Sequence, residues 1–167
     1  MQPLLRPWEL DDLDDLVKYA NNYKIARNLS NKFPYPYTKE DGRNFLSFAS
    51  DNSTDHIFAI ILDNVACGGI GLHPQSDIQC KNAELGYWLA EPFWGKGIMS
   101  KAIQQIIEYG FANLLEIDRI FARSFGSNLA SQKVLEKTGF VLEAKFEKTL
   151  YKFGEYEDEL IYALRRI

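Results

Sequence analysis

Soft metal ligands and long apolar runs are scarce in this chain of 167 residues. Only Cys67 and Cys80 carry thiols, without CxxC spacing, and only His56 and His73 carry imidazoles. That is too few for a structural zinc site, and no metal is expected. A disulfide scaffold is equally unneeded at this chain length. The longest wholly apolar run, Ile57 to Leu62, falls far short of the roughly 18 to 20 residues that a membrane span requires. A basic excess is lacking too. Lys and Arg number 19 against 23 Asp and Glu, a net charge of −4. Such a chain has no drive towards a polyphosphate backbone and slightly favours a cationic substrate. Neither a nucleic-acid nor a membrane partner is expected. No repeat, low-complexity tract or Gly/Ser linker divides the sequence, so a single domain over residues 1–167 is expected. Pro7 and the acidic stretch Glu9 to Asp15 stand where a signal segment would need apolar residues, which points to a reduced, cytoplasmic protein.

Apolar material is ample: 46% of residues are hydrophobic, among them 3 Trp, 9 Tyr and 11 Phe, enough for a sizeable core. Leu4 to Arg6 reads as a first strand. Leu10, Leu13, Leu16, Val17 and Ala20 recur at helical spacing up to about Asn22. Tyr23 to Leu29 reads as a second short helix, which Pro34 and Pro36 must end. Thr38 then opens a Thr-Lys-Glu-Asp cap for a helix fading by Asp51. His56–Leu62 and Val65–Leu72 are strands joined by Asp63-Asn64, residues that tolerate a tight turn, and Ala83–Leu89 is the next. From Ile98 to Leu114 the i, i+3, i+4, i+7 pattern predicts about four turns of helix. Ile120–Ala122 is a strand, and Asn128–Thr138 a helix closed by Gly139. Phe140 onwards and Leu160–Leu164 are the last strands. The expected fold is α+β: a mostly antiparallel mixed sheet of about seven strands flanked by helices, parallel where a long helix crosses over.

Chemistry concentrates between Leu89 and Ser100, where a strand ends, the chain turns through Gly95 and Gly97, and a helix opens. Bare amides at a helix N-terminus form a seat for a phosphate, and glycines let it come close. A purely structural tight turn is the other reading. A Walker loop is excluded because Gly97, not Ser or Thr, follows Lys96. A Rossmann fingerprint fails because Ser100 stands at its third glycine and an antiparallel meander precedes the loop.

The run Gly86-Tyr87-Trp88-Leu89-Ala90-Glu91-Pro92-Phe93-Trp94-Gly95-Lys96-Gly97-Ile98-Met99-Ser100 closely resembles the acetyl-CoA loop of the GNAT N-acetyltransferase superfamily. Asn128, Ser131, Val134, Leu135, Lys137, Gly139 and Phe140 are similar to its second signature helix. Phe33 to Asp41 and the tail from Gly154 to Arg165 resemble the RimJ/RimL-like branch, whose namesakes acetylate ribosomal-protein N-termini. Trp94 and Met99 depart from the superfamily loop pattern but suit this branch. Leu135 stands where many members carry a tyrosine proposed to protonate the departing thiolate, so that role does not transfer.

The resemblance implies a GNAT-like acyl-CoA N-acyltransferase fold and direct acetyl transfer from acetyl-CoA to a primary amine. A protein N-terminus is the leading acceptor, with a polyamine, an amino acid or an aminoglycoside as alternatives. It also implies that the backbone of Gly95, Lys96, Gly97, Ile98, Met99 and Ser100 holds the pyrophosphate. The strand end at Trp88, Leu89 and Ala90 would pair with pantetheine, with the amide of Leu89 or a nearby residue facing the thioester oxygen. Asn128 would bond the pantetheine amide, or merely cap its helix. Ser131, one turn on, would reach the sulfur, or only fill space. Glu84, a carboxylate on an otherwise apolar strand, is a candidate base or proton-relay anchor, or a sheet-edge residue facing water. Phe33, Tyr35 and Tyr37 would line the acceptor site or close over the core. Glu143 and Tyr151 are acceptor-site candidates by position alone. The acidic group Glu155, Glu157, Asp158 and Glu159 reads first as a solvated face. The partner expected is a small-molecule or peptide amine, and exposed C-terminal strands are compatible with a homodimer. A non-catalytic acyl-CoA sensor is the alternative of another class.

Overall fold

The computed structural model describes residues 1–51 and 54–167. Seven strands form one sheet in the order β1-β2-β3-β4-β5-β7-β6. They are β1 (Leu4–Arg6), β2 (His56–Leu62), β3 (Val65–Pro74), β4 (Asn82–Leu89), β5 (Arg119–Phe125), β6 (Val141–Lys152) and β7 (Glu155–Arg165). Only β4 and β5 run parallel, as the helical crossover between them requires; every other neighbouring pair is antiparallel. The helices are α1 (Leu13–Ala20), α2 (Tyr23–Ala26), α3 (Lys39–Asp51), α4 (Ile98–Asn113) and α5 (Leu129–Lys137).

Each face of the sheet carries its own core. On one, Ile98, Ile103 and Ile106 of α4 and Leu135 of α5 are fully buried against Ile60, Ile70, Leu72 and Ile120. Each such side chain stabilises the fold by about 1.5–3 kcal/mol. On the other face, Leu16 and Ala20 of α1 and Leu46 of α3 pack on Ala59, Ile61 and Ala66 with Trp8.

Local chemistry sets the element ends. Asp63 and Asn64 sit at φ 50° and 64°, the left-handed pair that a two-residue hairpin turn demands. At the end of α5, Phe140 N–H donates to Leu135 O at 3.0 Å and Gly139 N–H to Glu136 O at 3.1 Å, the two bonds of a Schellman stop. Four expectations need adjusting. The helix expected over Tyr23 to Leu29 ends at Ala26. The stretch predicted as one helix from Leu10 begins as a 3₁₀ turn, Leu10–Asp12, because Asp12 turns back onto the Glu9 amide at 2.8 Å. The strand placed at Ile120–Ala122 spans Arg119–Phe125, and the final strands form a long β6–β7 hairpin. Both are lengthened by pairing across the sheet, where long-range ladders extend strands whose own periodicity is weak.

Candidate active site

A fault in the sheet makes the site. β4 and β5 pair only over Asn82↔Arg119, Ala83↔Ile120 and Glu84↔Phe121, although β4 continues to Leu89 and β5 to Phe125. Beyond Glu84 they part into a cleft. Ala90 N–H donates to Cys67 O at 2.8 Å, so Cys67 opposite Ala90 is a hydrogen-bonded pair. Alternation along the ladder then commits the Trp88 backbone to Gly69 and turns that of Tyr87 and Leu89 to the cleft. The Trp94 indole N–H takes the Leu89 carbonyl at 2.7 Å, which leaves the Leu89 amide facing the opening.

At the mouth of the cleft, Gly95 and Gly97 both adopt φ 73°, with nothing within 4 Å of where a Cβ would stand. The left-handed backbone and that open space both suit glycine. Gly97 is the N-cap of α4 and offers no side-chain cap, so the first-turn amides are bare. They carry the positive end of a 16-residue helix. Lys133 and Lys137, one turn apart on α5, line the same cavity.

Across the cleft the Asn128 side chain accepts from Ser131 N–H at 3.3 Å and caps α5. Ser131 Oγ lies 2.6 Å from the Tyr87 hydroxyl. Burial pushes the Tyr87 phenol up to about 12, partly offset by the Ser131 bond, so it stays protonated at neutral pH. All of this opens on one cavity of about 840 Å³.

The family model described as "Acetyltransferase (GNAT) domain" matches residues 3–141. The chain belongs to the GNAT acetyltransferase family. It is 37% identical over 105 residues to YdaF of Bacillus subtilis, a match covering 63% of this chain and 56% of YdaF. To p20 of Bacillus licheniformis, an uncharacterized N-acetyltransferase, it is 31% identical over 165 residues, covering 96% and 90% of the two chains. Among solved structures it superposes with TM-score 0.82 and 25% identity on RimL, a ribosomal L7/L12 alpha-N-protein acetyltransferase in complex with coenzyme A, covering 96% and 92%.

This GNAT domain gathers many of the residues singled out in sequence onto the one cavity. Glu84, Trp88, Leu89, Gly95, Gly97 and Ile98 line it, as do Met99, Ser100, Asn128, Ser131 and Tyr151. Glu84 does not stand alone: Arg123 Nε is 3.2 Å from its carboxylate, and Arg123 Nη1 is 2.6 Å from Glu159. Two carboxylates around one guanidinium give this group of three a formal charge of −1.

Other candidates lie elsewhere. Ala90 is fully buried and its amide is taken by Cys67. Lys96 sends Nζ to Pro92 O at 2.9 Å and is not on the wall. Phe33 and Tyr37 line a second cavity of about 490 Å³ that shares Trp88 with the first. Tyr37 is 5% exposed, and burial pushes its phenol up to about 12. Tyr35 leans on Tyr23 and Phe153 and lines neither cavity. Glu143 sits at the closed end of the β4–β5 fork, held by Arg119 and Arg165, outside both cavities. Of the acidic tail, only Glu159 reaches the wall; Glu157 binds Ser127 and Asp158 binds the Lys148 amide.

Tyr87, Arg123 and Lys152 are site residues that sequence reasoning missed. Tyr87 had a signal, since it stands two residues before Leu89 and so shares its face and its edge of the strand. Arg123 and Lys152 had none, because only the three-dimensional path of β5 and of the β6–β7 hairpin brings them to β4.

Proposed function

We propose that this GNAT acetyltransferase moves acetyl from acetyl-CoA directly to a primary amine, with a protein N-terminal amine as the leading acceptor. One observation carries the reading: a bared strand edge, an uncapped helix N-terminus and a protonated hydroxyl pair converge on one cavity. The residues present fit the cosubstrate. The Gly95 to Ser100 backbone offers amides and open space for a pyrophosphate, and the cleft edge of Tyr87 and Leu89 offers strand-like pairing to a pantetheine arm.

Acetyl-CoA supplies a thioester: the C–N bond forms, the C–S bond breaks, and the amine gives up one proton as the thiol is released. The Leu89 amide serves as a donor to the carbonyl oxygen as charge builds there. Ser131, backed by Tyr87, holds a hydrogen bond towards the departing sulfur. Outright proton transfer from Tyr87 is disfavoured, because a thiol near 8.5 against a phenol of about 12 makes the step uphill by roughly 5 kcal/mol. The Glu84–Arg123–Glu159 group draws in an ammonium and orients it. An α-amine near pKa 8 is already about a tenth neutral at pH 7, whereas a lysine amine near 10.4 is neutral to only a few parts in ten thousand. This favours an N-terminal acceptor. RimL's stated action on an alpha-amino group of a ribosomal protein supports the same choice.

The test pairs calorimetric titration of acetyl-CoA with a thiol-release assay over serine-starting peptides, spermidine and a lysine peptide. Turnover favouring the N-terminal amine is expected. Folded protein that fails to bind acetyl-CoA overturns the reading.

A further inference from the structure

Lys152, at the end of β6, has no part in the transfer chemistry above, yet it is one of the few charged side chains buried in this protein, at 7% exposure. Its Nζ donates to Asn31 Oδ1 at 3.1 Å and lies 4.5 Å from the centre of the Phe153 ring. Among the described residues no carboxylate is within ion-pair distance of it. A buried ammonium without a counterion is unfavourable, and burial lowers its pKa accordingly. The side chain is also held in place. Phe153 stacks on Tyr23 at 5.1 Å, fixing the β6–β7 turn against α2. Lys152 and Asn31 both line the large cavity, on whose wall stand Glu84 and Glu159 around Arg123.

We propose that Lys152 and Asn31 form an anion subsite on the wall of the cavity that also carries Glu84 and Glu159, so that the acceptor is an amine that also carries a carboxylate. The ammonium meets the Glu84–Glu159 side, and the carboxylate supplies the counterion that Lys152 lacks in the protein. A neutral residue with a free amine satisfies only half of this pattern. So does a polyamine, whose second charge meets a buried cation. The carboxylate has two sources with the same chemistry, the α-carboxylate of a free amino acid and an acidic side chain following a peptide N-terminus. The subsite rests on the transferase reading and narrows its acceptor.

The experiment compares serine, serine amide and Ser-Glu amide as acceptors for the wild type, Lys152→Met and Lys152→Arg, with acetyl-CoA titrated calorimetrically into each protein. Expected is a kcat/KM for serine or Ser-Glu amide, expressed per neutral amine because the three α-amines differ in basicity, about tenfold or more above that for serine amide on the same scale, the scale of one hydrogen bond to a charged group. Which of the two is preferred identifies the source of the carboxylate. Lys152→Met, which keeps the aliphatic volume, should bring the three acceptors to parity through KM while acetyl-CoA affinity holds; Lys152→Arg should keep the preference. Melting curves establish that each variant is folded. If Lys152→Met does not fold, Asn31→Ala reads the same preference. Equal use of serine amide by the wild type overturns the subsite, as does a preference that survives Lys152→Met. Acetyl-CoA binding without turnover of either anionic acceptor overturns it as well, while leaving the cosubstrate site standing. Loss of acetyl-CoA binding in the wild type overturns the transferase reading beneath it.

Discussion

Tyr87→Phe removes one oxygen atom, the one 2.6 Å from Ser131 Oγ. If the hydroxyl pair only packs, the cost is one hydrogen bond, about 0.5–1.5 kcal/mol of stability. For a chain of this length that lowers Tm by roughly 2–4 °C per kcal/mol, and kcat does not change. If the pair steadies charge on the departing sulfur, Tyr87→Phe removes the partner that holds Ser131 Oγ in place for that bond, so what is given up is a bond made to a charged group, worth up to about 1.5–3 kcal/mol, and kcat falls roughly 10- to 150-fold. Because that charge exists only as the C–S bond breaks, KM for acetyl-CoA should hardly move. Ser131→Ala should match Tyr87→Phe, and the double variant should be no slower than either alone, since the two hydroxyls act as one unit. With the phenol near 12, the wild type should also show no alkaline fall in rate from this group below about pH 10. The assay is thiol release at saturating acetyl-CoA beside calorimetry and thermal melting. A Tyr87→Phe rate within about twofold of wild type, with the small Tm loss present, refutes the role given to the pair.

Three further outcomes test other parts of the structure. Gly97→Ala meets no atom within 4 Å but must hold φ 73°, a backbone cost of roughly 1–2 kcal/mol. Its methyl group also enters the space offered to the pyrophosphate, so acetyl-CoA affinity measured by calorimetry should drop about tenfold or more; unchanged affinity denies the loop that role. Asp12 is buried, which pushes its carboxyl up, but Arg6 grips it through two 2.8 Å bonds and the Glu9 amide through a third, and the net effect holds it below the usual range. The unfolded chain therefore binds that proton more tightly. The stabilisation is complete above about pH 4 and is lost as pH falls through the depressed value. Asp12→Asn should flatten the acid limb of urea unfolding and cost about 1–3 kcal/mol at neutral pH, under the cost of a fully buried pair because Arg6 keeps 26% of its surface. An acid limb unchanged in slope refutes that account. Finally, Cys80 is exposed while Cys67 is buried, its thiol pushed up to about 11 by burial. A thiol-reactive dye should label Cys80 in the folded protein and reach Cys67 only in denaturant; rapid labelling of both contradicts the packing around β3.

What could be read in advance divides by the range of the interaction. The Asp63-Asn64 turn, the Asn128 cap, the Gly139 stop and the Gly95–Gly97 loop were all legible, because each depends on the φ or the hydrogen bonds of a few consecutive residues. The cleft was legible only through resemblance, since nothing within β4 says that β5 will leave it after Glu84. Glu84 shows the limit most clearly. An isolated carboxylate on an apolar strand reads as a base, but in the fold it is ion-paired to Arg123, 39 positions on, itself shared with Glu159. Glu143 fails for a related reason. It sits where the β6–β7 register shifts between Leu142 and Ala144, and a one-residue shift moves every side chain after it to the other face. Lys152 follows a second shift in the same ladder, between Phe146 and Leu150. Its burial depends on that register and on Tyr23 and Asn31, more than a hundred residues upstream. The residues proposed to hold the cosubstrate thus lie in local motifs. Those proposed to select the acceptor depend on long-range register, and for that reason the proposed anion subsite must be tested on the folded protein.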